Sequence, residues 1–179
     1  EDIETLNYTL QKTQSWLTFN HLKLNALKTE LLLISPNNCS SSVATWTAQL
    51  TALNVIPKLV DSVKSHGVSL DKSLTLQNHI SASTKGANFQ LTKLRKIKPF
   101  LPPADFKTAV QALVLPRHDY GSATLTGIPK YRLAPLRASQ KAAVRLIADI
   151  RKFDHIKPTL ESLKWLPIKA WIDLKIACL

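Results

Sequence analysis

Methionine is absent from all 179 residues, position 1 included, so the chain is expected to be an excerpt from a longer polypeptide. The two cysteines, Cys39 and Cys178, lie far apart and form no CxxC pair. Neither a disulfide framework nor a zinc knuckle is indicated, and a reducing compartment is expected; the expected location is intracellular, cytoplasmic and nuclear. Glycine is scarce at four residues, and neither a Walker-type phosphate loop nor a GxGxxG turn occurs. No serine sits in a GxSxG elbow, and no two aspartates are adjacent. The five histidines, His21, His66, His79, His118 and His155, show no HExxH or paired spacing and are joined by no cysteine, so no metal ligand set is expected. A run of about 18 apolar residues, enough to span a bilayer, is missing too. The acidic opening from Glu1 to Glu4 is the reverse of a basic signal-peptide start, so neither secretion by that route nor a membrane partner is expected.

What is present is a globular composition, 45% hydrophobic, enough for one ordinary core or two small ones. The formal charge of +12 is unevenly placed. Residues 1–80 carry 6 cations and 6 anions, whereas residues 81–179 carry 18 and 6. The whole excess lies in the second part, as it would if that part met a polyanion such as nucleic acid. A merely solubilising surface would look the same by composition.

Along the chain, Ile3, Leu6, Leu10 and Leu17 recur at helical spacing, with Asp2 and Glu4 in a first turn that favours acids. Asn20 suits a left-handed helix end, Leu22-Lys23-Leu24 reads as a short strand, residues 25–29 as a turn, and "ELLLIS" as a buried strand. "SPNNCSSS" is a loop by composition, and a few short strands are expected between it and residue 70. From Leu74 the period becomes helical. Leu76, Ile80, Ala87, Leu91 and Leu94 share one face of a helix that the prolines of residues 99–103 end. A second helix starts near Asp105, and Pro116 either breaks it near Leu115 or marks a decaying copy no longer selected for activity. A third runs from about Lys130 to Ile150 with Leu133, Leu136, Ala143, Ile147 and Ile150 inward, and two shorter ones flank Pro167. Trp16, Trp165 and Trp171 are expected to pack in the core or between helices. The fold class is therefore α+β: a small mixed segment over residues 1–74, then a predominantly helical bundle over residues 75–179.

Two basic ridges follow from the helical spacing. Lys85, Phe89, Lys93 and Lys96 lie opposite the apolar face of the first bundle helix. Lys130, Arg137, Lys141 and Arg145 occupy an arc of roughly 80° on the third. Cations with an aromatic among them can bind phosphates and contact sugar or base faces without reading sequence. Their alternative is an ordinary solvated face.

Several segments, in order and over nearly the whole chain, resemble the reverse transcriptases of non-LTR (LINE-type) retrotransposons. They are "WLTFNHLKLNALKTELLLISP", "HGVSLDKSLTLQNHI", "LRKIKPFLPPADFKTAVQALVLPRHDYGSATLTGIP", "AAVRLI" and "DHIKPTLESLKWLPI". The resemblance implies that residues 1–74 end a polymerase palm and that the helices after them are a thumb and its continuation, partnering an RNA template, a DNA primer and the rest of the parent polymerase. It also implies that Asn25, Lys28, Thr29 and Glu30 form a box whose lysine nears the incoming nucleotide. There the Lys28 ammonium would act as a general acid toward the pyrophosphate leaving group. Without the resemblance, Lys28 and Thr29 are a polar turn before a strand. The aspartate pair that holds Mg²⁺ in this family would precede Glu1, so the chain alone is expected to be inert and to bind no cofactor. The sequence departs from the family's pattern at His66, Pro116, His118, Gly121 and Ser122. Two further readings stay open: a stand-alone, non-catalytic nucleic-acid-binding helical module, and a helical interaction protein whose charge keeps it soluble.

Overall fold

The computed structural model describes residues 2–34, 58–151 and 153–178. The chain divides into two compact units, one of Glu1–Lys64 with Leu70–Leu74 and one of Ser65–Ser69 with Thr75–Leu179. The architecture mixes helix and strand, in the α+β class, with six α-helices among the described residues. None of those helices is long and apolar enough to cross a membrane. The readings of "SPNNCSSS" and of any strand within residues 35–57 lie outside the described residues.

The first unit opens with α1 (Asp2–Phe19). Its end is a Schellman motif, with His21 N–H donating to Thr18 O at 3.0 Å and Leu22 N–H to Leu17 O at 2.8 Å. The left-handed residue is therefore His21, at φ 57°, and not Asn20 as the sequence suggested. Asn20 is occupied otherwise, its side-chain amide donating to Trp16 O at 2.8 Å. Trp16 was expected to pack inward but is 61% exposed. No strand forms at Leu22-Lys23-Leu24. The expected core strand shrinks to β1 (Glu30–Leu31), paired in parallel with β2 (Lys58–Leu59), Glu30 opposite Lys58 and Leu31 opposite Leu59. A two-stranded ribbon covers neither face of a strand, so Leu31, Leu32 and Leu33 are half-buried and Ile34 is exposed. None of this unit's described residues is fully buried.

Strands β3 (Ser62–Ser65) and β4 (Val68–Asp71) form a hairpin. Its two-residue connection, His66 and Gly67, has φ 46° and 81°, the positive values a type I′ turn requires.

The second unit is built on three long helices, α2 (Gln77–Ile97), α3 (Pro103–Asp119) and α4 (Ala134–Ala148), each packed on the other two. The stripe predicted for α2 is the buried one: Leu76, Ile80, Ala87, Leu91 and Leu94. Its Ala87, Leu91 and Leu94 meet Phe106, Val110 and Val114 of α3 and Ala143 and Val144 of α4 in one cluster, closed by Leu160 and Trp165. The short helices α5 (Lys157–Ser162) and α6 (Ile168–Ala177) complete the unit.

Two boundaries differ from expectation. Helix α3 does not break at Leu115 but runs through Pro116 to Asp119. Pro116 sits in the last turn, where a missing N–H removes a single helical bond, and the turn is still closed by Tyr120 N–H on Pro116 O at 3.0 Å. Helix α4 starts at Ala134, not at Lys130, with Pro135 in its first turn, where a missing N–H costs no helical bond and the proline φ suits the helix. Residues 130–133 form turns instead, with Arg132 N–H on Pro129 O at 2.9 Å.

Candidate nucleic-acid interface

Helix α2 carries Lys85, Phe89, Lys93 and Lys96 at spacings of four, four and three, all exposed and opposite its buried stripe. The Lys93 ammonium stands 4.4 Å from the centroid of the Phe89 ring. That contact holds an aromatic face and a cation together at the surface, where Phe89 is 57% exposed. On α4, Arg137 and Lys141 are exposed and Arg145 is half-buried, its Nε donating to Arg151 O at 3.3 Å. Lys130 is exposed but lies in the turns before α4, so the second ridge is three helical cations and not four.

Arg95 was missed from the sequence. It lines, with Ala138, Ala142, Arg145, Leu146, Asp149 and Ile150, a groove of ≈ 390 Å³ between the C-terminal parts of α2 and α4. The two ridges thus approach each other through Arg95 and Arg145. Arg95 lies off the arc of the α2 ridge, and only the packing of α2 on α4 brings it to Arg145. Arg132 was missed as well. It donates to Tyr131 Oη at 3.2 Å and lies with Thr75, Gln77, Tyr131 and Pro135 around an open recess of ≈ 410 Å³.

Cation partners separate structural from available charge. Among the described residues, ion pairs join Lys72 to Asp61, Lys98 to Asp149, Lys169 to Asp173 and Lys175 to Asp119. Lys85, Lys93, Lys96, Arg137 and Lys141 enter no ion pair there. Lys98, next to the α2 ridge in sequence, serves the fold. Its ammonium donates to Leu146 O at 2.7 Å, pairs with Asp149 and lies 5.6 Å from the Phe106 ring centroid.

In the first unit, Lys28 is exposed at the end of the 3₁₀ turn Ala26–Lys28. Asn25 closes that turn, accepting from Lys28 N–H at 3.1 Å through its carbonyl and at 3.2 Å through Oδ1, and from Thr29 Oγ1 at 3.0 Å. The box of Asn25, Lys28 and Thr29 is therefore a local turn with its ammonium at the surface.

A polar cluster at the end of α3 invites a catalytic reading and does not support one. His118 Nε2 and Ser139 Oγ are 3.1 Å apart, but both residues are buried. Burial pushes the His118 imidazole down to about 4. Asp119 turns to α6 instead, accepting from Trp171 Nε1 and pairing with Lys175 at 2.8 Å. Its burial works to raise its pKa, and the hydrogen bonds from Lys175 and Trp171 with the Lys175 charge outweigh that and lower it. Among the described residues no three His, Cys, Asp or Glu side chains are grouped to hold a metal ion. Compared with protein-family models, with curated proteins and with solved structures, the chain matches none.

Proposed function

We propose that this chain is the palm end and thumb of a non-LTR retrotransposon reverse transcriptase, an RNA-directed DNA polymerase, and that its own task is to grip the duplex of RNA template and DNA primer. The observation that carries the reading is the set of five exposed cations, Lys85, Lys93, Lys96, Arg137 and Lys141, which among the described residues have no carboxylate partner. Unpaired cations along two neighbouring helices can take up phosphates and release condensed counterions, the main source of sequence-independent affinity. Phe89 beside Lys93 adds a face for sugar or base. The sequence segments resembling that polymerase family supply the identity of the duplex.

In this reading Lys28 would deliver a proton or positive charge to the departing pyrophosphate within the intact parent. Among the described residues no three His, Cys, Asp or Glu side chains are grouped to hold the Mg²⁺ ions of that chemistry. The alternative is that the second unit is a nucleic-acid-binding helical module in its own right. What favours it is that every ridge cation and the buried cluster lie in that one unit.

The test is binding to an RNA–DNA duplex followed by fluorescence anisotropy at several salt concentrations, with Arg137→Gln and Lys141→Gln combined. Affinity should fall for all sequences alike, and the salt slope should lose about two counterions, near one per phosphate contact. Circular dichroism should be unchanged, since both residues are exposed. A folded double variant with the parent's slope would reduce the ridge to a solvated helix face.

A further inference from the structure

The open recess of ≈ 410 Å³ lined by Thr75, Gln77, Tyr131, Arg132 and Pro135 lies at the first turns of α2 and α4, before Lys85 and Arg137, the first ridge cation on each helix. Its volume falls within the range of small-ligand sites, roughly 300–1,000 Å³. Its aromatic wall is Tyr131, 70% exposed. Arg132 holds that ring, its Nε donating to Tyr131 Oη at 3.2 Å and its guanidinium carbon lying 5.8 Å from the ring centroid. Arg132 Nη1 also reaches Thr75 O at 3.5 Å, which ties the turn before α4 to the segment before α2. Guanidinium donors beyond these two bonds remain at the recess.

We propose that this recess takes one unpaired nucleotide of the bound strand, its base laid against the Tyr131 ring and its phosphate or base edge met by Arg132. The inference rests on the nucleic-acid reading of the ridges and adds to it a site for single strand. Every base has a flat face, so an exposed ring fixed by a guanidinium is a stacking platform without sequence preference. The Gln77 amide both donates and accepts, as base edges do. No carboxylate among the described residues lines the recess to repel a phosphate. A simple anion would use Arg132 and leave the ring idle, and an apolar guest would cover the guanidinium without a partner. Position argues for the unpaired state. Helices α2 and α4 both line the recess near their starts and the groove of Arg95 and Arg145 near their ends, so the ridges run between the two. A strand passing beyond Lys85 and Arg137 leaves the ridges at the recess. There a base freed from its complement has a face to give to Tyr131.

The experiment is fluorescence anisotropy on the full chain with three probes built on one RNA–DNA duplex: blunt, extended at each end by a short single strand of RNA, and extended by the same strand made abasic. The parent should bind the natural extension more tightly than the abasic one, which keeps the phosphates and lacks the bases. Tyr131→Ala should weaken binding of the naturally extended probe by about 5- to 150-fold, the worth of one stacked base, and leave the blunt and abasic probes unchanged. Tyr131→Phe should keep the advantage. Equal affinity of the parent for natural and abasic extensions overturns the proposal, as does an advantage that survives Tyr131→Ala or an equal loss on the blunt duplex. Adenosine monophosphate in excess should not displace the extended probe to the level of the abasic one; if it does, the site serves a free nucleotide and the assignment to a strand falls. A parent that fails to bind the blunt duplex sinks the ridge reading and this inference with it, whereas intact blunt binding without a base effect sinks the inference alone. The parent's comparison of natural and abasic probes decides the question should the alanine variant not fold.

Discussion

Burial costs His118 its charge. Its imidazole protonates at about 4 in the folded chain, against 6.5 for the free side chain. Above pH 6.5 neither state binds the proton and stability does not change on this account. Between 6.5 and 4 the unfolded chain takes up a proton that the folded chain refuses, so stability falls as pH drops, by about 3 kcal/mol in all. Urea denaturation across that range should show the loss in the parent and a flatter profile in His118→Leu. An equally steep profile in the variant would mean that other groups carry the acid sensitivity. Asp119, whose pKa is also lowered, acts in a separate window: its stabilisation is lost as pH falls below the ordinary carboxylate value of 3.8. Neither residue could be read from sequence, because burial and the approach of Trp171 and Lys175 are tertiary facts. His21 is legible only in part. The sequence marks a chain reversal near residue 20, and which residue turns left-handed depends on the use Asn20 makes of its amide.

Elements were legible where one physical rule dominates. The α2 stripe follows from spacing alone, because a helix with one buried face needs apolar residues at three and four along its whole length. The start of α4 is marked by Pro135, since proline favours a helix's first turn, where its missing N–H costs no helical bond. "ELLLIS" failed for the opposite reason: burial of a strand depends on what lies against it, and among the described residues β1 pairs only with the two residues of β2. Lys98 shows how a charge can serve an element. Its ammonium meets Leu146 O in the last turn of α4, where carbonyls lack helical partners and the dipole favours a cation, and it also pairs with Asp149 just past that helix. Lys98→Met keeps the stem and deletes the charge. It should destabilise the fold by about 1–2 kcal/mol in urea denaturation, with the salt slope of duplex binding unchanged. A lost slope without lost stability would move Lys98 from the fold to the interface.

Across the whole molecule the question is whether binding follows net charge or its arrangement. A chain at +12 attracts any polyanion, so weak, salt-sensitive affinity by itself would say little. The ridges make a narrower claim: cations spaced along α2 and α4 contact phosphates, while exposed cations elsewhere only contribute to the general field. Lys157 and Lys164 are suitable controls, being exposed, outside both ridges and in no ion pair among the described residues. Replacing both with glutamine lowers the net charge by as much as replacing Arg137 and Lys141. If arrangement governs, the control pair should leave the slope of log affinity against log salt within about half a counterion of the parent, because a cation that touches no phosphate releases no condensed ion. The ridge pair should lower it by about two. Measured side by side on one duplex, equal slopes in the two variants would assign the affinity to net charge and leave the ridges without a binding role.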